Sequence, residues 1–289
     1  MKTRYICGLV VAGLLSACGN DDPLDKEQYF KTVYITKVTT TDMLYKVKVP
    51  YDSGEVETFF SVGCGGSQVQ DEDVTVSVRM ADGAVDEYNT VQFPTQPEKH
   101  VIALESDRFR IPSMETVLQK DGESYARIPV FIRNEGLDPD RTYVIPLTID
   151  TVSVPSYVIQ HDISTILLGF TFTNSYEGNC SMEGTSTTDD VQKSIFGNKN
   201  LKAVDQYSVR IFAESYTEST ELDQIETQCI KLTFNDTQIT VSGWKQMEAS
   251  GTGTYDPDNG KIHIEYEFTH TDGTRRQVTE DLTYNDEIS

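Results

Sequence analysis

Apolar and polar residues alternate along several short stretches of this sequence. The alternation is clearest at residues 74–80 and 262–268, where every second side chain is Val, Ile, Met, Tyr or Phe. A period of two is typical of a strand with one buried and one solvated face. Further stretches are predicted as strands from similar patterns or from short apolar runs: 58–62, 100–104, 116–119, 125–132, 143–149, 165–173, 207–213, 226–234 and 238–242.

Turn-forming residues separate these stretches at distances expected for antiparallel sheets. The segments at 120–122, 138–140 and 256–260 combine Asp or Asn with Gly or Pro, and each falls between two predicted strands. Helical periodicity is nearly absent. The best candidate helix is the short segment 189–196, with Asp189 as its N-cap and a glycine after its end. The pattern therefore predicts an all-β chain.

A turn-rich break at residues 174–178 divides this chain into two parts. It follows the apolar strand at 165–173, and it leaves a segment of ordinary domain size on each side. We therefore predict two antiparallel β domains, at 30–173 and 174–289, the second being either a barrel or a sandwich.

The first 29 residues predict where the protein is located and do not predict a folded structure. Basic residues precede an apolar run at 6–15, which is shorter than the roughly 20 residues of a membrane-spanning helix. Leu-Ser-Ala-Cys follows at 15–18, and the whole resembles a bacterial lipoprotein signal peptide. We expect residues 1–17 to be removed and Cys18 to be acylated. The alternative is an ordinary signal peptide in which Cys18 is incidental.

The segment 18–29 is acidic and unpatterned, which is typical of an extended tether. Its paired acidic residues after Cys18 resemble the export signal that sends Bacteroidetes lipoproteins through the outer membrane. A short acidic run is also compatible with a solvated linker and nothing more. We expect an outer-membrane lipoprotein that faces the cell exterior.

The charge balance excludes one class of partner. The chain has 46 Asp plus Glu against 24 Lys plus Arg, for a formal net charge of −22. Such a body repels nucleic-acid phosphates and anionic lipid alike. The protein is therefore expected to bind no nucleic acid and to be held at the membrane by acylated Cys18.

Three of the five cysteines remain after the signal peptide and the lipidated residue are set aside: Cys64, Cys180 and Cys229. An odd number cannot form a complete disulfide framework. Cys180 and Cys229 fall in the same predicted domain and could pair, closing a loop worth a few kcal/mol. The alternative is three reduced, buried thiols.

Two sets of stretches resemble a known family. Those at 73–78, 86–89, 124–130 and 137–147, the last with Tyr-Val-Ile-Pro-Leu, resemble the N-terminal domain of Bacteroidetes surface lipoproteins of unassigned function. Those at 176–178, 253–257, 264–268 and 279–283 are similar to the all-β C-terminal domain of the family's non-enzymatic members. The resemblance implies an immunoglobulin-like β-sandwich over residues 30–173. That domain also precedes endo-β-N-acetylglucosaminidases, and it is often encoded in gene clusters for polysaccharide use.

No catalytic residue, metal ligand or cofactor is predicted. The catalytic relatives carry Asp-x-x-Asp-x-Asp-x-Glu, and the nearest acidic cluster here, at 221–226, does not fit it. No two cysteines are close enough in sequence for a zinc site, and no His-x₃₋₅-His pair occurs. The chain is therefore expected to be non-catalytic.

Glycan binding requires exposed aromatic faces beside polar side chains. Trp244, Tyr216 and Tyr255 lie near predicted turns and are the candidate ligand-binding residues, although a lone Trp in a β domain also serves as a packing residue. We expect a surface protein that captures a polysaccharide or oligosaccharide, with transporter or enzyme partners. The alternative is an adhesive or structural protein that contacts host or envelope proteins.

Overall fold

The computed structural model of the protein describes residues 30–66 and 70–285. The predicted signal peptide, the acylation site Cys18 and the tether lie outside the described residues, so these three predictions stay predictions.

The N-terminal domain consists of two facing sheets. One has the order β10-β1-β3-β8-β6, and the other has β2-β11-β9-β4-β7 with β5 beside β9. A helix, α1, follows β4, and two 3₁₀ turns lie at Pro97–Lys99 and His161–Ile163. The elements are β1 (Lys31–Ile35), β2 (Leu44–Pro50), β3 (Val56–Gly65), β4 (Val74–Met80), α1 (Ala84–Gln92), β5 (Ile102–Ala103), β6 (Phe109–Arg110), β7 (Glu115–Leu118), β8 (Tyr125–Ile132), β9 (Tyr143–Val152), β10 (Tyr157–Ile159) and β11 (Thr165–Thr173).

The core of this domain lies between the two sheets. Val74, Val76 and Val78 of β4 point into it, and Ile128 and Val130 of β8 meet them from the opposite sheet. The period-two pattern read from the sequence thus marks the side chains that leave water when the sheets pack.

The C-terminal domain is a closed antiparallel barrel of eight strands, in which β19 pairs with β12. Closure gives every strand of the barrel two neighbours. A short helix, α2, connects β14 to β15. The elements are β12 (Gly178–Thr188), β13 (Val191–Asp205), β14 (Ser208–Phe212), α2 (Leu222–Gln228), β15 (Cys229–Asn235), β16 (Gln238–Gly243), β17 (Ala249–Asp256), β18 (Lys261–Thr269) and β19 (Arg275–Tyr284).

The all-β class predicted from the sequence is confirmed, with two sheets in the first domain and a barrel in the second. The linker between them is fixed by Asn174, whose side-chain amide donates to the carbonyl oxygens of Asp205 and Ser208 at 2.7 and 2.8 Å. Within the described residues, no helix combines the length and the apolar character needed to cross a membrane.

The helix predicted at 189–196 is wrong. Asp189 and Asp190 adopt positive φ values of 49° and 61°, which form a two-residue turn between β12 and β13. The first residues of β13 are solvated on both faces, and Phe196 is 85% exposed. No alternation develops there because neither face is buried, and the turn was mistaken for a helix cap.

Candidate functional site

A groove of about 560 Å³ opens in the N-terminal domain where its two sheets separate. It lies between β2 of one sheet and β3 and β8 of the other. Among the described strands, β2 pairs only with β11, and β1 covers β3 only at residues 62–65. The first half of β3 therefore faces the groove, which also exposes backbone polar groups along its edges.

The register of β3 and β8 places two rings and one guanidinium on the outer face of their sheet. Tyr125 and Arg127 are two residues apart on β8, so they share a face. Phe59 pairs with Pro129, which makes it the diagonal neighbour of Arg127. The Arg127 guanidinium carbon lies 4.4 Å from the Phe59 ring centre and 5.9 Å from that of Tyr125.

The two rings are accessible to solvent. Phe59 is 44% exposed and Tyr125 is 40% exposed, values that are large for aromatic residues in a folded domain. The core residue Phe60 and the partly buried Val47 form the floor of the groove, and Tyr45 of β2 lies on the other side. An apolar floor with exposed rings and nearby hydroxyls is the usual composition of a site for a small organic ligand.

A second groove of about 460 Å³ lies beside α1, and its lining differs in character. It contains the carboxylates of Asp42, Asp82, Glu87 and Asp162, and its aromatic residue, Tyr88, is 7% exposed. This groove offers no aromatic face for stacking. We therefore take the groove between β2, β3 and β8 as the candidate functional site.

Trp244, the leading candidate from the sequence, lies at the interface between the two domains. Its indole Nε1 donates to Oδ2 of Asp140 at 3.2 Å, and its ring packs against Phe212 and Ile225. The same carboxylate accepts two hydrogen bonds from Arg210, at 2.7 and 3.0 Å. Burial alone would raise the pKa of Asp140, but the Arg210 guanidinium holds it below its usual range.

Tyr216 and Tyr255, the other two candidates, lie near opposite ends of the barrel. Tyr216 packs against the same small cluster as Trp244, and its ring stacks on His270 at 4.9 Å. Tyr255 packs against Phe234, with ring centres 5.4 Å apart. The structure therefore brings Trp244 and Tyr216 together but not Tyr255. All three are partly buried, and their role in ligand binding remains a prediction.

Cys180 and Cys229 are both buried free thiols, whereas Cys64, which is also free, is only partly buried. Cys180 points into the barrel core, whereas Cys229 packs with Phe212 and Ile225 beside α2. The side chains thus lie on opposite faces of the barrel wall, on strands that are not neighbours. Burial raises the pKa of each thiol to about 12.

A polar cluster is enclosed at the α2 end of the barrel. The Lys199 ammonium donates to the carbonyl oxygens of Phe212 and Glu214 and lies 3.9 Å from the Glu280 carboxylate. Tyr266 donates to the same carboxylate at 2.9 Å. Burial lowers the pKa of Lys199 and raises that of Glu280. Neither charged side chain is more than 3% exposed, so the cluster is part of the barrel interior.

The groove residues were not among the sequence candidates. Tyr125 and Phe59 were assigned to strands, and β2 was not predicted at all, although Tyr45, Val47 and Val49 alternate with two lysines. That alternation was the available signal for β2. In the part of the chain that the structure describes, no three His, Cys, Asp or Glu side chains are grouped to hold a metal ion.

Two family models match this chain. One, for an N-terminal domain, matches residues 25–156, and the other, for a C-terminal domain, matches residues 164–283. The two matches confirm the two-domain resemblance drawn from the sequence. A comparison with curated protein sequences finds no significant match.

Solved structures resemble most of the chain. A protein of unknown function from Bacteroides ovatus is 15% identical with a TM-score of 0.65, over 90% of this chain and 96% of that one. A multidomain protein from the same species is 18% identical with a TM-score of 0.60, over 88% and 93%. An auxiliary nutrient binding protein from Bacteroides thetaiotaomicron is 15% identical with a TM-score of 0.56, over 85% and 92%. At these identities the likeness establishes the fold.

Proposed function

We propose that this chain, which belongs to the two-domain family whose N-terminal and C-terminal models match it, is a non-catalytic protein that binds a glycan. The binding site is the groove between β2, β3 and β8. The protein would hold its ligand at the cell surface for uptake, anchored in the outer membrane by acylated Cys18 and facing the cell exterior.

The observation that carries the proposal is the pair of exposed rings in the groove. Phe59 and Tyr125 present apolar faces to solvent, and Thr58 and Ser61 also line the groove. The C–H face of a pyranose stacks on such rings, while its hydroxyl groups require hydrogen-bonding partners at the rim. The groove supplies both in one place, and its volume accommodates a short oligosaccharide.

A solved structure with the same fold also supports the assignment. One solved relative with both domains is described as an auxiliary nutrient binding protein. The sequence at residues 1–18 resembles a lipoprotein signal peptide, which suits capture at a surface better than catalysis in solution.

The test is affinity electrophoresis of the purified protein in gels that contain plant, host or microbial polysaccharides, with reducing ends measured in parallel. The variants are Phe59→Ala and Tyr125→Ala. Tyr207→Ala is the matched control, because Tyr207 is 55% exposed on the barrel, away from the groove. Trp244→Ala tests the candidate from the sequence in the same gels.

We expect retardation by at least one polysaccharide without new reducing ends. Loss of one stacking ring is expected to weaken binding by about tenfold, which corresponds to about 1.4 kcal/mol. Tyr207→Ala should behave as the wild type. Binding that survives both groove variants but is lost in Trp244→Ala would move the site to the domain interface. Absence of retardation by every polysaccharide would refute glycan binding and favour an adhesive role.

A further inference from the structure

Basic side chains gather in the groove of an otherwise acidic protein. Lys37, Lys48 and Arg127 line it, and no Asp or Glu is among its lining residues. In the whole chain, acidic residues outnumber basic ones by 46 to 24. The sign of the charge is therefore reversed at this one site. Glu177, which interacts with Lys48, lies outside the lining.

Arg127 is the most informative of the three. Every other arginine of the described residues donates to a carboxylate or to a backbone carbonyl, as Arg110 does to Glu55 and Arg108 does to the carbonyl oxygen of Glu135. Arg127 makes neither kind of contact within the described chain, and its partners are the rings of Phe59 and Tyr125.

The rings fix the guanidinium without using its N–H donors. Cation–π contact restricts the plane of the group, whereas its fork of donors stays available in the plane. A planar guanidinium held in this way matches a carboxylate or a sulfate, which accepts two parallel hydrogen bonds. The lysines add positive charge on the same groove without competing acids to neutralise it.

We propose that the ligand of this groove is an anionic saccharide, one that carries uronate carboxylates or sulfate esters. The inference rests on the proposed glycan-binding function and narrows its substrate class. The sugar ring packs on the exposed aromatic surface, and the anionic group pairs with Arg127. The chain as a whole carries a net charge of −22, so its acidic surface outside the groove repels such a polymer and binding is confined to the groove.

The test uses pairs of polysaccharides that differ only in charge. Polygalacturonate is compared with its methyl ester, and chondroitin sulfate with its desulfated, carboxyl-reduced form, by isothermal titration calorimetry with the purified protein. The variants are Arg127→Gln and Arg127→Lys. Arg79→Gln is the matched control, because it removes the same charge from an exposed arginine of the same domain outside the groove.

We expect at least one acidic polymer to bind at least tenfold more tightly than its neutral partner, with an affinity that falls as salt is added. Arg127→Gln should abolish this preference, Arg127→Lys should retain part of it, and Arg79→Gln should leave it intact. The polygalacturonate pair tests recognition of a carboxylate alone, whereas the chondroitin pair removes sulfate and carboxylate together.

Equal affinity for the charged and neutral forms would overturn the inference while leaving glycan binding in place, as would an undiminished preference in Arg127→Gln. Binding of no polysaccharide, charged or neutral, would overturn the proposed function and this inference together. Thermal melting of each variant serves as the folding control, and none is expected to change because Arg127 and Arg79 are exposed.

Discussion

One buried carboxylate of the N-terminal domain is enclosed at its contact with the barrel. The Asp140 side chain is completely buried, and it accepts hydrogen bonds from Arg210 and Trp244 of the barrel. Lys202 also lies 3.4 Å away. The change Asp140→Asn keeps the shape of the side chain but removes its charge. The Arg210 side chain, which is 6% exposed, would then be left buried without an opposite charge.

The expected cost follows from this burial. Removal of one partner from a buried ion pair costs about 3–5 kcal/mol, because the remaining charge stays desolvated. Asparagine can still accept a hydrogen bond, so we expect the lower end, about 3 kcal/mol. For a chain of this size, such a loss lowers the unfolding midpoint by roughly 6–12 °C.

The matched control is Asp138→Asn. Asp138 pairs with Lys245 at 2.8 Å, but the side chains are 30% and 23% exposed, so the loss should be below about 1 kcal/mol. Its other oxygen accepts the Asp140 amide, a contact that asparagine preserves. Differential scanning calorimetry measures both variants and resolves separate domain transitions.

The pH dependence of stability is a second test of the contribution of Asp140. Because the pKa of Asp140 is lower in the folded protein, its contribution is present above the unfolded pKa of about 3.9 and is lost as pH falls through the folded value. The wild type and Asp140→Asn should therefore converge only in acid below about pH 4. The reasoning would be refuted if Asp140→Asn had the wild-type unfolding midpoint at pH 7. It would also be refuted if that midpoint fell no further than the midpoint of Asp138→Asn.

Three further outcomes are expected. Lys199→Met should destabilise the barrel by about 3–5 kcal/mol in urea denaturation, because it leaves the buried Glu280 carboxylate without its opposite charge and two carbonyl oxygens without their donor; an unchanged midpoint would contradict this. His263 has its pKa raised by a hydrogen bond to a neighbouring carboxylate, so it stabilises the fold below about pH 6.5 and loses this effect as pH rises through the folded pKa. His263→Gln should therefore flatten the stability profile between pH 6 and 8, by less than about 1 kcal/mol, and an unaltered profile would count against it. Alkylation followed by mass spectrometry should label Cys64 before Cys180 and Cys229, with and without reductant; a reductant-dependent pair would show that a disulfide forms.

Much of the fold was accessible to sequence reasoning where one face of a strand is buried. The strands at 74–80, 125–132 and 165–173 were placed with the bounds they have in the structure. The hydrophobic pattern did not predict β13, where both faces of the first residues are solvated. It also did not predict the helix α2, whose seven residues bury only Ile225. A hydrophobic period is visible in the sequence only where one face of a strand or helix is buried.

The candidate site was less accessible. Phe59 lies more than sixty residues before Tyr125 and Arg127 in the sequence, and it meets them because of the register between β3 and β8. Nothing in the local sequence distinguishes Arg127 from the arginines that are paired with acids. That difference depends on which side chains the other strands place beside it.

The sequence by itself determined the all-β class and the two-part organisation, because these follow from local period and turn chemistry. It also predicts a lipoprotein address from a contiguous motif. Only the tertiary structure decided that Trp244 faces a carboxylate 104 residues away and that Cys180 and Cys229 lie on opposite faces of the barrel wall. The groove is also a product of the tertiary structure, since it is formed by strands of two different sheets. Such contacts depend on the pairing of distant strands, which the hydrophobic pattern of each strand does not specify.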